Sequence, residues 1–472
     1  MGGTSRRQFL TAGLLGAGTI SLGLLALSRR REQVTGAPIA ESMGQLGLVE
    51  DETTGLPLLL LPPGFRYRTM SWAGETLHDG YTVPGSADGM GVVDQTGSRV
   101  TLVRNHERRG AQGPFGDPAT AYDQMPGGTT TLVFDSDAGE LVDSHVSLNG
   151  TFYNCAGGVT PWGTWLSCEE AVFNPAMAHR APPHRQLLWD VSRATRPHGF
   201  VFEVPAAGVT RPQPILDMGQ FLHEAVAFDT RTGMAYMTED ASPNSGFYRF
   251  TPNVPGKLQA GGTLQMMRVP ARPDMSNGLE LGVEMDVEWV GIPDPTAGLV
   301  PDHPEGDGVV SQGLAAGGSR FLNLEGCAFD AGRIYFTSKS GGPGKRGYIF
   351  EYHPEREKVW VVFESERFGR FCGPDNLVVS PRGALVICVD RLRGDKSGQD
   401  VAGLTRDGEF FRFCQVNAEL DAAYGSHNLA RTMRSSEWAG ACFSRDGRWL
   451  FLNIYNPGFT IAVTGPWQEG YF

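Results

Sequence analysis

EAVAFDTRTGMAYMTED, Glu224 to Asp240, reads as an acid, a short apolar run, a polar turn closed by Gly233 and a second apolar run ending on acids. Two short apolar runs around such a turn predict a β-hairpin, because Gly supplies the positive φ that the connection requires. The same plan recurs along the chain. EGCAFDAGRIYFTSKS starts at Glu325, DNLVVSPRGALVICVD at Asp375 and EWAGACFSRDGRWLFLN at Glu437. NCAGGVTPWGTWLSCEE, Asn154 to Glu170, is a further copy with Cys155 near the acid's position, and DGMGVVDQTGSRVTLVRNHE, Asp88 to Glu107, is a looser one. No helical periodicity of apolar residues separates these units. Six strand–turn–strand units predict an all-β chain, a six-bladed β-propeller.

The first strand of each propeller blade lines the central channel, so polar residues at equivalent strand starts converge although they lie far apart in sequence. Glu107, Cys155, Glu224, Glu325, Asp375 and Glu437 are the expected ring. Any one of these acids alone would read as a turn former. Recurring in register, they would repel one another in a confined space unless cations neutralise them, and bound metal is the economical solution. Carboxylates and Asn carbonyls suit a hard ion such as calcium, and the Cys155 thiolate suits a redox metal such as iron. His106 and His223 flank the ring and read equally as core groups or as supports for ligands. Trp162, Trp165, Trp438 and Trp449 are expected to pack blades.

The remaining features narrow the class. The net charge of −12 disfavours nucleic acid and anionic membranes as partners. SRRQFL, Ser5 to Leu10, followed by the uncharged Gly-rich stretch Thr11 to Ser28, predicts export through the twin-arginine translocase to the periplasm or beyond, with no stable membrane anchor. The expected organisation is a signal segment at 1–28, an N-terminal arm at 29–60 and one propeller domain at 61–472, with a lid-like insertion near 255–320. The cysteines are odd in number and scattered. Cys327, Cys388, Cys414 and Cys442 sit in apolar runs as core residues, while Cys155, Cys168 and Cys372 have polar, Gly-rich neighbours and stay open as ligands. The phosphate-loop, HExxH, GxSxG and GxGxxG patterns are missing or incomplete, which removes support for dinucleotide binding and serine-hydrolase chemistry.

Together RNHE, NCAGG-PWGTW-CEE, HEAVAFD, the Glu325-Gly326 pair and SEWAGACFSRDGRWLFLNIYNPG resemble the PhoX-type alkaline phosphatase family from Asp88 to about Gly458. The resemblance implies a six-bladed propeller, twin-arginine export and an iron (Fe3+) and calcium cluster that hydrolyses small phosphate monoesters. It implies Cys155 as thiolate ligand to iron, and Glu224 and Glu325 as cluster ligands with catalytic roles. Glu107, Glu169 or Glu170, and Glu437 are then calcium ligands, and Asp375-Asn376 resembles the ligand pair of lactonase propellers. Asn323 stands where the family carries a phosphate-binding Arg, so Lys339, Arg346, Arg431 and Arg434 are the candidate replacements, with Arg434 placed in the catalytic set. The other readings are a calcium-dependent propeller lactonase or esterase, and a metal-stabilised binding module without catalysis.

Overall fold

The computed structural model describes residues 44–110, 112–175, 191–298, 308–365, 371–390, 399–467, 470 and 472. The signal segment lies outside them. Antiparallel sheets are arranged as six blades around a channel. Blade I is Ala87–Thr96, Arg99–His106, Gly127–Asp135 and Glu140–Thr151. Blade II has Asn154–Val159, Thr164–Glu169 and Val201–Pro205. Blade III begins with His223–Asp229 and Met234–Glu239, blade IV with Leu324–Asp330 and Arg333–Ser338, and blade V with Pro374–Val379 and Leu385–Val389. Blade VI is Trp438–Phe443, Leu450–Ile454, Phe459–Thr464 and, from the other end of the chain, Arg66–Met70. Each predicted hairpin forms the inner two strands of a blade.

The core is distributed between blades. Each pair of neighbouring blades shares one apolar cluster, such as Phe411 and Phe413 of blade V against Trp438 and Leu452 of blade VI. Ring closure depends on the N-terminal strand Arg66–Met70, which pairs with Phe459–Thr464 to complete blade VI. Buried Asp51 holds this strand by accepting from the Thr69 amide at 2.9 Å and the Thr69 hydroxyl at 2.5 Å. Buried Arg104 of blade I reaches across to Thr460 Oγ1 at 2.9 Å and Ser71 Oγ at 2.9 Å, tying the first blade to the last.

Two stretches expected outside the blades contribute strands to them. From the N-terminal arm, Gly47–Val49 and the start of Leu59–Leu61 add the two outermost strands of blade V, next to Phe410–Val416. Within 255–320, Gly262–Arg268 and Glu288–Gly291 are outer strands of blade III, and Met285–Asp286 pairs with blade IV. Three of the four tryptophans are buried as expected, whereas Trp162 is 37% exposed on its turn, bonded to Glu203.

Around the channel the inner strands approach closely enough to demand glycine. A Cβ on Gly158 would sit 1.9 Å from the Val226 carbonyl oxygen of the next blade, a backbone atom that cannot swing aside. Gly158→Ala is therefore expected to cost at least the roughly 1–3 kcal/mol typical of overpacking. A urea midpoint equal to that of the parent would show that these inner strands are not rigidly apposed.

Candidate metal centre

Every inner strand carries a register shift at the same height. It lies between Ala87 and Met90 in blade I, Asn154 and Gly157 in II, His223 and Val226 in III, Leu324 and Cys327 in IV, Pro374 and Leu377 in V, and Ala439 and Cys442 in VI. A bulge inserts an extra residue and re-aims the side chain beside it. In blades I to V the first residue inside the bulge is Asp88, Cys155, Glu224, Glu325 and Asp375. In blade VI it is Gly440, with φ +62°. A second tier comes from the residue directly after the second strand of blades I to V, Glu107, Glu170, Asp240, Lys339 and Asp390, with Tyr455 at that place in blade VI.

This geometry alters part of the expected ring. Cys155, Glu224, Glu325 and Asp375 occupy equivalent bulge positions. Glu107 belongs to the second tier, and its place in the inner ring is Asp88. Glu437 also reaches the mouth, but from the residue before its strand, substituting for the acid that Gly440 lacks. Asp88, Asp240 and Asp390 are site residues not named from the sequence; each stands at one end of an apolar strand, which is the available signal.

The ligand-type atoms meet in three groups: Cys155 with Glu170 and Glu224, Asp88 with Glu107 and Glu437, and Glu224 with Glu325 and Asp375. Within each group they lie within 4.8 Å of one another. At that separation two ionised carboxylates repel by about 3.5 kcal/mol at an effective dielectric of about 20, so a group of three costs about 10 kcal/mol. That rivals the whole stability of a typical domain, about 5–15 kcal/mol. Burial first, then the neighbouring acids, pushes Asp88, Glu170, Glu224, Glu325 and Glu437 well above the usual carboxylate range. Burial also raises Glu107 and Asp375, against the pull of Arg109 and Lys339 respectively.

Lys339 stands in the second tier, with Nζ 2.6 Å from Asp390, 2.9 Å from Asp375 and 3.6 Å from Glu325. Burial alone would lower its pKa, and these acids reverse the effect. One ammonium does not balance so many carboxylates. The buried Oε1 of Glu325 accepts no hydrogen bond. A buried carboxylate oxygen with only that long ionic contact to Lys339, among hard oxygen donors and with a thiol at one edge, fits bound cations.

Cys155 Sγ lies 3.1 Å from the His223 carbonyl oxygen, and burial, then Glu224, raises its thiol well above normal. Without a cation it is protonated. Its strand is held by Asn105, whose amide donates to the carbonyls of Cys155 at 3.2 Å and Ala156 at 2.6 Å. Asn376 spans its bulge, accepting from the Gly440 amide at 2.9 Å and donating to Asp375 at 3.2 Å.

Several expected site residues point elsewhere. Glu169 accepts from the amides of Phe152, Gly199 and Phe200 and meets His198 Nδ1 at 2.6 Å, so its oxygens are committed outside the ring. Arg434 donates from Nε and Nη2 to the Ala418 carbonyl, at 3.0 and 2.6 Å. Asn323 lies beside the ring and donates to Asp240 at 2.6 Å. His106 bonds Gly85 and Thr130, His223 bonds Gly219, and burial holds both neutral, His223 near a pKa of about 3. Cys168 is fully buried in an apolar cluster. Burial would also lower His198, but Glu169 and Asp123 outweigh it and hold its pKa up at about 9.

A six-bladed propeller with carboxylates and one thiol converging at one mouth defines a class of candidate metalloproteins. The family model for alkaline phosphatase PhoX matches residues 45–142 and 127–458, and the chain belongs to that family. The structure is similar to Pseudomonas fluorescens PhoX in complex with vanadate, at 18% identity and TM-score 0.63, over 90% of this chain and 99% of that one. Weaker likenesses are a Xanthomonas campestris gluconolactonase, 11% identical with TM-score 0.40 over 85% and 90% of the chains. The pyranose dehydrogenase PQQ domain of Coprinopsis cinerea is 11% identical, with TM-score 0.43 over 88% and 100%. Comparison with curated proteins gives no match.

The titration of this mouth has a definite sign. Acids whose folded pKa exceeds the unfolded one hold extra protons in the native state, so stability falls as pH climbs above about 4.3. His198 acts the same way: its contribution is complete below about 6.5 and fades as pH passes about 9. Chelator-treated protein is therefore expected to show unfolding midpoints that decline from about pH 5 to about pH 9, with saturating calcium removing most of the decline. A flat metal-free profile would contradict the mutual repulsion.

Proposed function

We propose that this chain is a metal-dependent phosphate monoester hydrolase acting outside the cytoplasm, with iron and calcium held at the acidic mouth. The convergence of Cys155, Glu170 and Glu224 beside Glu325 and Asp375 carries this reading, together with membership of the PhoX family. Asp88, Glu107 and Glu437 are the candidate ligands of a separate, all-oxygen calcium position. Bound cations would neutralise phosphoryl oxygens and activate water.

The chain's own residues supply the rest. The bulges fix each carboxylate before any ligand arrives, which removes reorganisation from the reaction. Lys339 keeps a positive charge beside Asp375 and Asp390, lowering the repulsion that an incoming dianion meets. Asn323 brings no charge to the position where the family's Arg would grip phosphate, so binding of the substrate should be weak there. Export by the twin-arginine route is part of the proposal. It rests on Ser5 to Leu10. Among the described residues no helix is long and apolar enough to cross a membrane.

Glu224→Gln and Glu325→Gln are expected to lower metal content and aryl phosphate turnover together, by at least the 10–100-fold that loss of a mere supporting group costs. Iron bound by Cys155 would colour the protein through thiolate-to-iron charge transfer, and Cys155→Ser should abolish or shift that band while Cys168→Ser leaves it. Normal metal stoichiometry in both Gln variants would reduce these acids to structural residues.

Asn323→Arg restores the missing guanidinium and is expected to raise kcat/KM for aryl phosphates by about tenfold, the value of one charge-assisted pair. A metal-loaded protein inert to phosphate monoesters, even with Arg at position 323, would overturn the phosphatase reading and leave the metal site standing.

A further inference from the structure

We propose that Arg109 is the phosphate-gripping residue of this chain, supplying from blade I the guanidinium that position 323 lacks. This rests on the phosphatase reading above. Two of the four candidates named from sequence are committed elsewhere: Lys339 is surrounded by three carboxylates and only 24% exposed, and Arg434 is bound to a backbone carbonyl. Arg109 follows Glu107 by two residues and stands at the rim of the mouth with 54% of its side chain exposed. Its Nη2 is 3.6 Å from Glu107 Oε1, an ionic contact too long for a hydrogen bond.

What holds the guanidinium there is a ring face. Its central carbon lies 4.6 Å from the centroid of Tyr153, which is itself 6% exposed. Tyr153 has φ +56°, a left-handed conformation that a bulky residue adopts only when its surroundings enforce it. The enforcement is visible: the Glu170 amide donates to the Tyr153 carbonyl at 3.0 Å, so the same peptide that places Glu170 in the mouth turns the tyrosine ring under Arg109. Burial alone would lower the pKa of Arg109, and Glu107 first, then Tyr153, Tyr455 and Glu170, outweigh it and hold the guanidinium charged. Its contact with Glu107 places it beside the second group of ligand atoms, Asp88 with Glu107 and Glu437.

The charge balance favours release toward a substrate. When Glu107 turns its charge to a bound cation, its loose hold on Arg109 weakens. The stacked guanidinium then presents N–H donors, already oriented, to an anion lying over the mouth. A planar fork matches two phosphoryl oxygens, which an ammonium cannot do.

The test uses metal-loaded, full-length mature protein and inorganic phosphate as the probe. Calorimetric titration of Arg109→Ala is expected to show phosphate binding weakened about tenfold or more, the loss of one charge-assisted bidentate contact. KM for an aryl phosphate should rise in parallel, with iron and calcium content unchanged. Arg109→Lys should recover only part of the binding. Arg108→Ala, which removes the same formal charge from the adjacent residue, should change it less than twofold. Equal losses in the Arg108 and Arg109 variants would reduce the effect to general electrostatics and overturn the assignment, as would unchanged phosphate binding in Arg109→Ala. If the parent binds phosphate yet hydrolyses no ester, the phosphatase reading fails while the binding comparison still decides Arg109. A metal-loaded parent that binds no phosphate overturns the assignment itself.

Discussion

The repulsion among buried carboxylates at one mouth of the channel is the constraint on which the rest of this molecule depends. Inner strands bulged at a common height bring acids within 4.8 Å of one another in a space that burial has largely stripped of water. The fold tolerates this because the apolar clusters lie between blades, away from the axis. Behind the ring the channel continues as a cavity of about 480 Å³ lined by small and apolar residues such as Ala156, Val226, Cys327 and Ala441. Asn376 is the polar side chain of that lining that reaches an acid, Asp375, and it carries no charge, so relief of the repulsion comes from Lys339, from protons or from cations.

The supporting hydrogen bonds show how the chain keeps the acids in place. Glu169 uses both oxygens to bind three amides and His198, and His198 in turn meets Asp123 at 3.2 Å. The next residue, Glu170, is thereby delivered to the mouth. Asn105 performs the same service for Cys155 through two backbone carbonyls. Two adjacent glutamates thus have different work, one anchoring a strand end and the other facing the ring. Metal-site logic requires this pairing of ligand and support.

The repeat of acid, apolar run, turn and apolar run carried the architecture, because blades are local hairpins and their periodicity is written in consecutive residues. Closure was not legible in that way. Arg66–Met70 joins Phe459–Thr464 across nearly the whole chain, and nothing near either segment announces the pairing. The inner-ring positions of Cys155, Glu224, Glu325 and Asp375 followed from register. Asp88 did not, because its bulge shifts the strand by a residue and the more conspicuous Glu107 lay at the far end of the same hairpin. Glu169 and Glu170 could not be separated by sequence, since only the strand pairing of Asn154 with Glu169 decides which one turns outward. The placement of Arg434 was not legible for a related reason: it precedes the inner strand of blade VI by a few residues, but its side chain is bound to the Ala418 carbonyl.

The most direct test of the account is elemental analysis of protein recovered after native export, without added metal and after desalting. The account predicts iron together with calcium in more than one equivalent of total metal per chain, because Lys339 alone does not balance the acids and bound cations relieve their repulsion without the cost of holding protons at neutral pH. Folded, stable protein that contains neither metal at neutral pH would contradict it.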